Sequence, residues 1–175
     1  NIGKVNATAN RYGLEILGDL LSPELEKTMK GIPYEINVFG SGEIEDSIKI
    51  LLNRPEIFIR GFVDDIDNEI MSSEIFLCLN NASPFKVCHT RYLHAWSLGS
   101  CVIAHKDVAL SMPEMEHNFN CLLGENIQEI CSNIRLASID KDLRKRISHN
   151  GYNTFLEKFT SKNVSKAIIN MISKG

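Results

Sequence analysis

The chain has 175 residues, of which 43% are hydrophobic and 23% charged, with a net charge of −3 and a pI near 6.0. That is enough chain to bury one compact core, without the basic excess that marks a nucleic-acid binder. No apolar run approaches the ~20 residues needed to span a bilayer, and the N-terminus lacks the charged-then-apolar pattern of a secretory signal. The five cysteines (Cys78, Cys88, Cys101, Cys121 and Cys131) show no CxxC spacing. They point to a reducing compartment and away from a disulfide framework or a zinc site.

Short apolar runs alternate with segments of helical period, the signature of βαβ units around a parallel sheet. The runs are Ile2 to Val5, Tyr34 to Phe39, Ile57 to Ile59, Ile75 to Leu79, Cys101 to Ala104 and Asn120 to Leu123. Asn1 to Val5 reads as the last residues of a strand, so the chain is expected to be a piece of something longer. Between the first two runs, Tyr12 to Met29 carries Leu14, Ile16, Leu17, Leu20 and Leu21 on a helical stripe. Further helices are predicted over Glu45 to Leu52, Asp67 to Met71, Arg91 to Leu98, Ile127 to Ser138, Lys141 to Phe159 and Lys162 to Ile172. Asp140 and Ser161 have the chemistry of N-caps for the last two. The expected architecture is α/β, a Rossmann-like doubly wound parallel sheet of about six strands with helices on both faces, in a single domain over 1–175.

Ligands of such sheets sit where strands end and helices begin. Gly40-Ser41-Gly42 follows one strand and precedes a helix, where glycine permits a tight turn and close approach to a ligand. It is shorter than a full dinucleotide fingerprint and reads equally as a plain turn. Lys4 and Arg11 flank the first strand-to-helix connection, and Arg91 lies in the first turn of a later helix. Three converging cations can neutralise a diphosphate; solvated surface charges are the alternative. Arg60-Gly61-Phe62-Val63 can form a ledge for a nucleobase, although a phenylalanine there is more often core. His89, His94, His105 and His117 have no metal-ligand spacing. Pro113-Glu114 is a loop pair that could reach the same crevice or stay solvated. No acidic cluster ends the first strand, which disfavours a response-regulator-like switch.

The order of these segments resembles the C-terminal domain of GT-B glycosyltransferases of the family-4 type over nearly the whole chain. The carriers are the GSG turn, IRGFVDD, RYLHAWSLGSCVIAH and MPEMEHNFNCLLG. The resemblance implies that this domain binds a nucleotide-sugar donor, UDP- or GDP-linked, as substrate and needs no metal or other cofactor. It assigns Lys4, Arg11, Thr90 and Arg91 to the donor diphosphate, Gly40, Ser41 and Gly42 to the donor loop, and Arg60, Gly61, Phe62 and Val63 to the base. The family motif carries two glutamates eight residues apart; counting back from Gly99, those positions hold Lys86 and His94 here. With His89 they are the expected ribose and sugar residues, and a histidine can exchange hydrogen bonds with a diol. The implied activity is sugar transfer of the hexosyltransferase type in bacterial surface-glycan synthesis, with retention of configuration. The acceptor, a glycan or lipid-linked glycan, would bind a separate N-terminal domain absent from this chain, so the isolated domain is expected to be inactive. Location would be cytoplasmic, with peripheral association at the inner membrane face. The alternative is a non-catalytic GT-B-like module that binds a nucleotide sugar or a partner.

Overall fold

A computed structural model of the chain describes residues 3–79 and 89–173. Among them are five parallel strands and eight α-helices. The strands are β1 (Ile36–Phe39), β2 (Ile57–Gly61), β3 (Ile75–Cys78), β4 (Cys101–His105) and β5 (Leu122–Gly124). The helices are α1 (Thr8–Ile16), α2 (Ser22–Thr28), α3 (Asp46–Leu51), α4 (Ile66–Ser72), α5 (His89–Ser97), α6 (Ile127–Ile139), α7 (Lys141–Lys158) and α8 (Ser161–Ile172). Parallel neighbours require a crossover, and α3 makes the one from β1 to β2 while α5 makes the one from β3 to β4.

The α/β class and the parallel pairing follow the sequence expectation, with fewer strands. β1 and β2 pair from Ile36 opposite Ile57. Separately, β3, β4 and β5 form a three-stranded sheet with Ile75 opposite Cys101 and Ile103 opposite Leu122. The expected first strand, Ile2 to Val5, appears among the described residues only as a bridge between Lys4 and Ser41. The reason is local: Ala7 N–H already donates back to the Lys4 carbonyl, and the chain turns into α1 at Thr8.

Alternate residues of β4 enter opposite cores. Cys101 and Ile103 join Leu14, Leu21 and Leu25 of the α1–α2 stretch and Ile130 and Ile134 of α6. Val102 and Ala104 join Tyr92 and Trp96 of α5 with Met112 and Met115. Burial on both faces is why this strand reads as a continuous apolar run.

The helix expected over Tyr12 to Met29 is interrupted by a π-helical turn at Leu17–Leu21. Pro23 has no N–H to continue the α ladder, and a π turn absorbs the mismatch. Gly18 lies in that turn, where an added Cβ would sit 2.7 Å from the Leu51 Cβ, so only glycine lets this segment touch α3. Asp140 caps α7 as expected, accepting from the Leu143 N–H at 2.8 Å. Ser161 does not cap α8. It is the first helical residue, and the Thr160 carbonyl receives the Asn163 and Val164 amides.

One polar cluster ties α5, α7 and the loop ahead of β5 together. Trp96 Nε1 donates to the Asn120 carbonyl at 3.1 Å. The buried Asn120 side chain donates to the Glu114 carbonyl and to Thr154 Oγ1 and accepts from the Glu116 N–H. Gly151 of α7 faces the indole: an added Cβ would lie 2.7 Å from Trp96 Nε1.

Candidate functional site

The carboxyl ends of β1 and β2 meet the Gly3 to Val5 segment, and the carboxyl edge is the usual ligand position of an open α/β sheet, here the candidate crevice. Its floor is the contact of two turns. Ser41 N–H donates to the Gly3 carbonyl at 3.0 Å, and Val5 N–H donates to Ser41 O at 2.8 Å. Gly40 adopts φ +152°, and a Cβ there would collide with the Gly3 carbonyl oxygen and the Val5 side chain. Gly42, at φ +101°, faces the Asn6 side chain at 3.1 Å. The glycines are thus required first by the approach of the 3–6 segment. Gly61 extends the floor by accepting the Gly40 N–H at 2.8 Å.

Asn10, 4% exposed, organises the wall above. Its Nδ2 donates to the Lys4 carbonyl at 2.6 Å, and its Oδ1 accepts from Arg91 Nη2 at 2.6 Å. This bond connects the start of α1 to the start of α5, 81 residues apart. The same guanidinium lies 3.4 Å from where a Cβ on Gly3 would be. Lys4 is exposed beside it and makes no ion pair among the described residues. Ala7 provides no side-chain cap for α1, leaving the first-turn amides of Thr8 and Ala9 without intrahelical acceptors. The dipole end, the exposed ammonium and the positioned guanidinium together suit a polyanion.

The other candidates are placed as follows. Thr90 is exposed on the first turn of α5. Arg11 turns the other way, with Nη1 2.7 Å from Glu45 Oε1 and Nε 3.8 Å from Glu15. Arg60 lies back along the β1–β2 pair, donating to Asn37 Oδ1 at 2.7 Å and stacking over Phe58 at 4.8 Å. Phe62 is 73% exposed, while Val63 is half-buried. His94, one turn along α5 from Arg91, has Nε2 2.7 Å from Asp67 Oδ1 of α4. Lys86 and the side chain of His89 lie outside the described residues. So Lys4, Gly40, Ser41, Gly42, Gly61 and Arg91 form one surround, whereas Arg11 and Arg60 are directed into other contacts.

Sequence reasoning missed Asn10 and Asp67. Each matters through a partner far along the chain, and neither belongs to a local pattern. Glu114 is held through its backbone by Asn120. His105 and His117 accept the Asp107 and Leu123 backbone amides. No group of three or more metal-ligating side chains occurs among the described residues. Burial pushes the Cys101 thiol up to about 11 and that of Cys131 to about 12, so neither is a nucleophile at neutral pH.

No family model matches the sequence, and no curated protein matches it. Solved structures do resemble the fold. The C-terminal domain of LpcC from Francisella tularensis, a glycosyl transferase of the group 1 family, superposes with a TM-score of 0.61 at 19% identity, over 91% of this chain and 86% of that one. A mutant of S. aureus TarM, in complex with fondaparinux, alpha-GlcNAc-glycerol and UDP, gives 0.74 at 14% identity over 97% of this chain and 34% of TarM. Anabaena HepE in complex with UDP and glucose gives 0.68 at 15% identity over 99% of this chain and 48% of HepE. The chain therefore spans about a third of TarM and about half of HepE. At these identities the likeness establishes a fold shared with solved glycosyltransferases.

Proposed function

We propose that the chain is the donor-binding half of a glycosyltransferase that uses a nucleotide-diphosphate sugar. The observation that carries this reading is the Lys4–Asn10–Arg91 arrangement: a buried amide aims a guanidinium across the crevice, beside an exposed ammonium and an uncapped helix start. A diphosphate matches that combination in charge and geometry. In the transfer step the sugar–oxygen bond breaks and negative charge grows on the distal phosphate; fixed cations and amides stabilise that charge most when preorganised. Charge on the chain can thus do the work without a metal, as the proposal holds. The HepE and mutant TarM structures are complexes that contain UDP, which supports uridine donors as the first to try.

His94 stands where the family motif has a glutamate, but it contacts Asp67 at 2.7 Å. We assign the ribose hydroxyls to this pair: Asp67 is 55% exposed and offers the carboxylate oxygens that a histidine alone lacks. The exposed Phe62 next to Gly61 is the platform we assign to the base. The finer elements of the proposal are a hexosyl donor, a glycan or lipid-linked acceptor held by a further domain, and bacterial surface-glycan synthesis at the inner membrane face. Without that further domain, the chain would bind donor and transfer nothing.

Titration calorimetry with UDP, GDP and their sugars tests the reading. The expected result is a dissociation constant on the order of 10 μM to 1 mM, weakened about tenfold by Arg91→Ala and by Lys4→Ala through lost charge-assisted bonds. Asp67→Asn should weaken nucleoside diphosphate binding but leave inorganic diphosphate unaffected. Silence across the whole nucleotide panel would overturn the proposal. A second reading, a binding module without catalysis, is favoured by Arg11, whose charge is spent on Glu45 and Glu15. A longer protein that binds donor yet neither transfers nor hydrolyses it would decide for the module.

A further inference from the structure

Among the described residues, β2 pairs with β1 alone, so its other side is an open edge. Ile36 lies opposite Ile57 in that parallel pair, and its N–H donates to Glu56 O at 2.8 Å. Backbone groups alternate sides along a strand, which turns Glu56 and Phe58 toward β1 and Ile57 and Ile59 away from it. The Ile57 N–H is taken by the Arg54 carbonyl of the preceding turn at 3.1 Å. That leaves the N–H and C=O of Ile59, at the centre of β2, on the open edge. Beside this edge lies a groove of about 460 Å³, lined by Ile50 of α3 and by Leu52, Arg54, Ile57 and Ile59. Ile50 is 75% exposed and Ile59 47%. Edges are commonly guarded by lysine or proline; Ile59 is neither, and apolar side chains grouped beside an open edge mark an interaction surface.

We propose that a second copy of this chain pairs with this edge, antiparallel, about a two-fold axis at Ile59. The occupant is a second copy because the edge complements itself. In an antiparallel ladder two directly opposed residues exchange both N–H···O bonds, so Ile59 of each copy satisfies the donor and the acceptor of the other. Its neighbours match in the same register. Phe58 stands opposite Arg60 of the other copy, and these two side chains already stack at 4.8 Å within one strand. Arg54 lies ahead of β2 and the exposed Asp64 beyond it, so the antiparallel arrangement brings the basic end of each edge to the acidic end of the other. Arg54 Nε has no hydrogen-bond partner among the described residues. The two grooves then adjoin at the axis, and Ile50 of each copy gains apolar cover. The register against β1 slips between Ile59 and Gly61, which confines the pairing to the middle of β2 and keeps the association weak. The inference does not depend on the nucleotide-sugar reading.

Sedimentation of the chain over concentrations from about 1 μM to about 1 mM tests the proposal. The mass should rise from 19.7 kDa toward twice that value, with a dissociation constant on the order of 100 μM. As the dimer forms, the Ile59 amide should exchange about tenfold more slowly, while the Phe58 amide, already turned toward β1, should not change. Ile59→Lys sets like charges directly opposite each other and should weaken association by about tenfold or more. Arg54→Asp and Asp64→Arg should each weaken it severalfold, and the two combined should restore it. Recovery in the double variant separates a lost contact from a damaged fold. A chain that stays monomeric throughout would overturn the proposal. So would a dimer that tolerates Ile59→Lys, leaves the Ile59 amide unprotected, or shows no recovery when the charges are exchanged.

Discussion

Replacing Asn10 by alanine should damage both the fold and the site, by at least the amount that follows from two of its bonds. The side chain donates to the Lys4 carbonyl and accepts from the Arg91 guanidinium, each at 2.6 Å. A neutral bond contributes about 1 kcal/mol and one to a charged group roughly 1.5–3 kcal/mol. Alanine recovers about 0.5 kcal/mol of helix propensity within α1. The net loss is then about 2–3.5 kcal/mol, a fall in melting temperature of roughly 4–14 °C for a chain of this size. Circular dichroism with urea titration at 25 °C would measure it. The sharper measurement is a double-mutant cycle with Arg91→Ala, where side chains in direct contact should couple by about 1–2 kcal/mol. UDP affinity should fall in Asn10→Ala although the amide need not touch the nucleotide, because it positions the guanidinium that does. Additive losses within about 0.5 kcal/mol, together with unchanged UDP affinity, would refute the reasoning.

Two further outcomes concern the core. Gly151→Ala gains about 1 kcal/mol of helix propensity in α7, yet its Cβ would meet an indole that is fully buried and hydrogen-bonded. Overpacking of about 1–3 kcal/mol, plus strain on the Trp96 bond to Asn120, should make it net destabilising, and a raised melting temperature would contradict this. The buried thiols set an alkaline limit. Cys101 ionises at about 11 in the fold against an ordinary value of 9.0, so above pH 9 the unfolded chain loses a proton that the fold retains. Stability should decline from pH 9 toward 11, by on the order of 2–3 kcal/mol for this thiol. Cys101→Ser would remove the ionisation while costing core packing, so the comparison is of slopes with pH. Equal slopes for parent and variant would refute the assignment. At pH 8, iodoacetamide should leave Cys78, Cys101, Cys121 and Cys131 unmodified in the native protein, because all four are buried.

The strand and helix order was largely legible because it rests on local periodicity. Cys101 to Ala104 is apolar at every position since both of its faces are covered, and Asp140 caps α7 because its carboxylate reaches an amide three residues on. What was illegible depends on meetings between distant segments. The break at Leu17–Leu21 combines Pro23 with the pressure of Leu51 on Gly18, and periodicity alone gives one continuous helix there. The resemblance assigns Arg11 to the diphosphate, but its direction is decided by Glu45, 34 residues later. Asp67 and His94 meet across 27 residues with no shared motif. Phe62 carries the opposite lesson: an aromatic after a strand suggests core, and here it is exposed.

Trp96 sits in the last turns of α5, locked by Asn120 and the Gly151 notch, while Thr90 and Arg91 occupy the first turn of the same helix. The helix is therefore a rod clamped at the end remote from the crevice. Its stiffness comes from the core, and its first turn is tied to α1 through Arg91 and Asn10. Substitutions ahead of Arg91 can change what is recognised without loosening the clamp, just as binding residues vary on a rigid scaffold elsewhere. On the proposed donor reading, this end of α5 is therefore the place to engineer specificity.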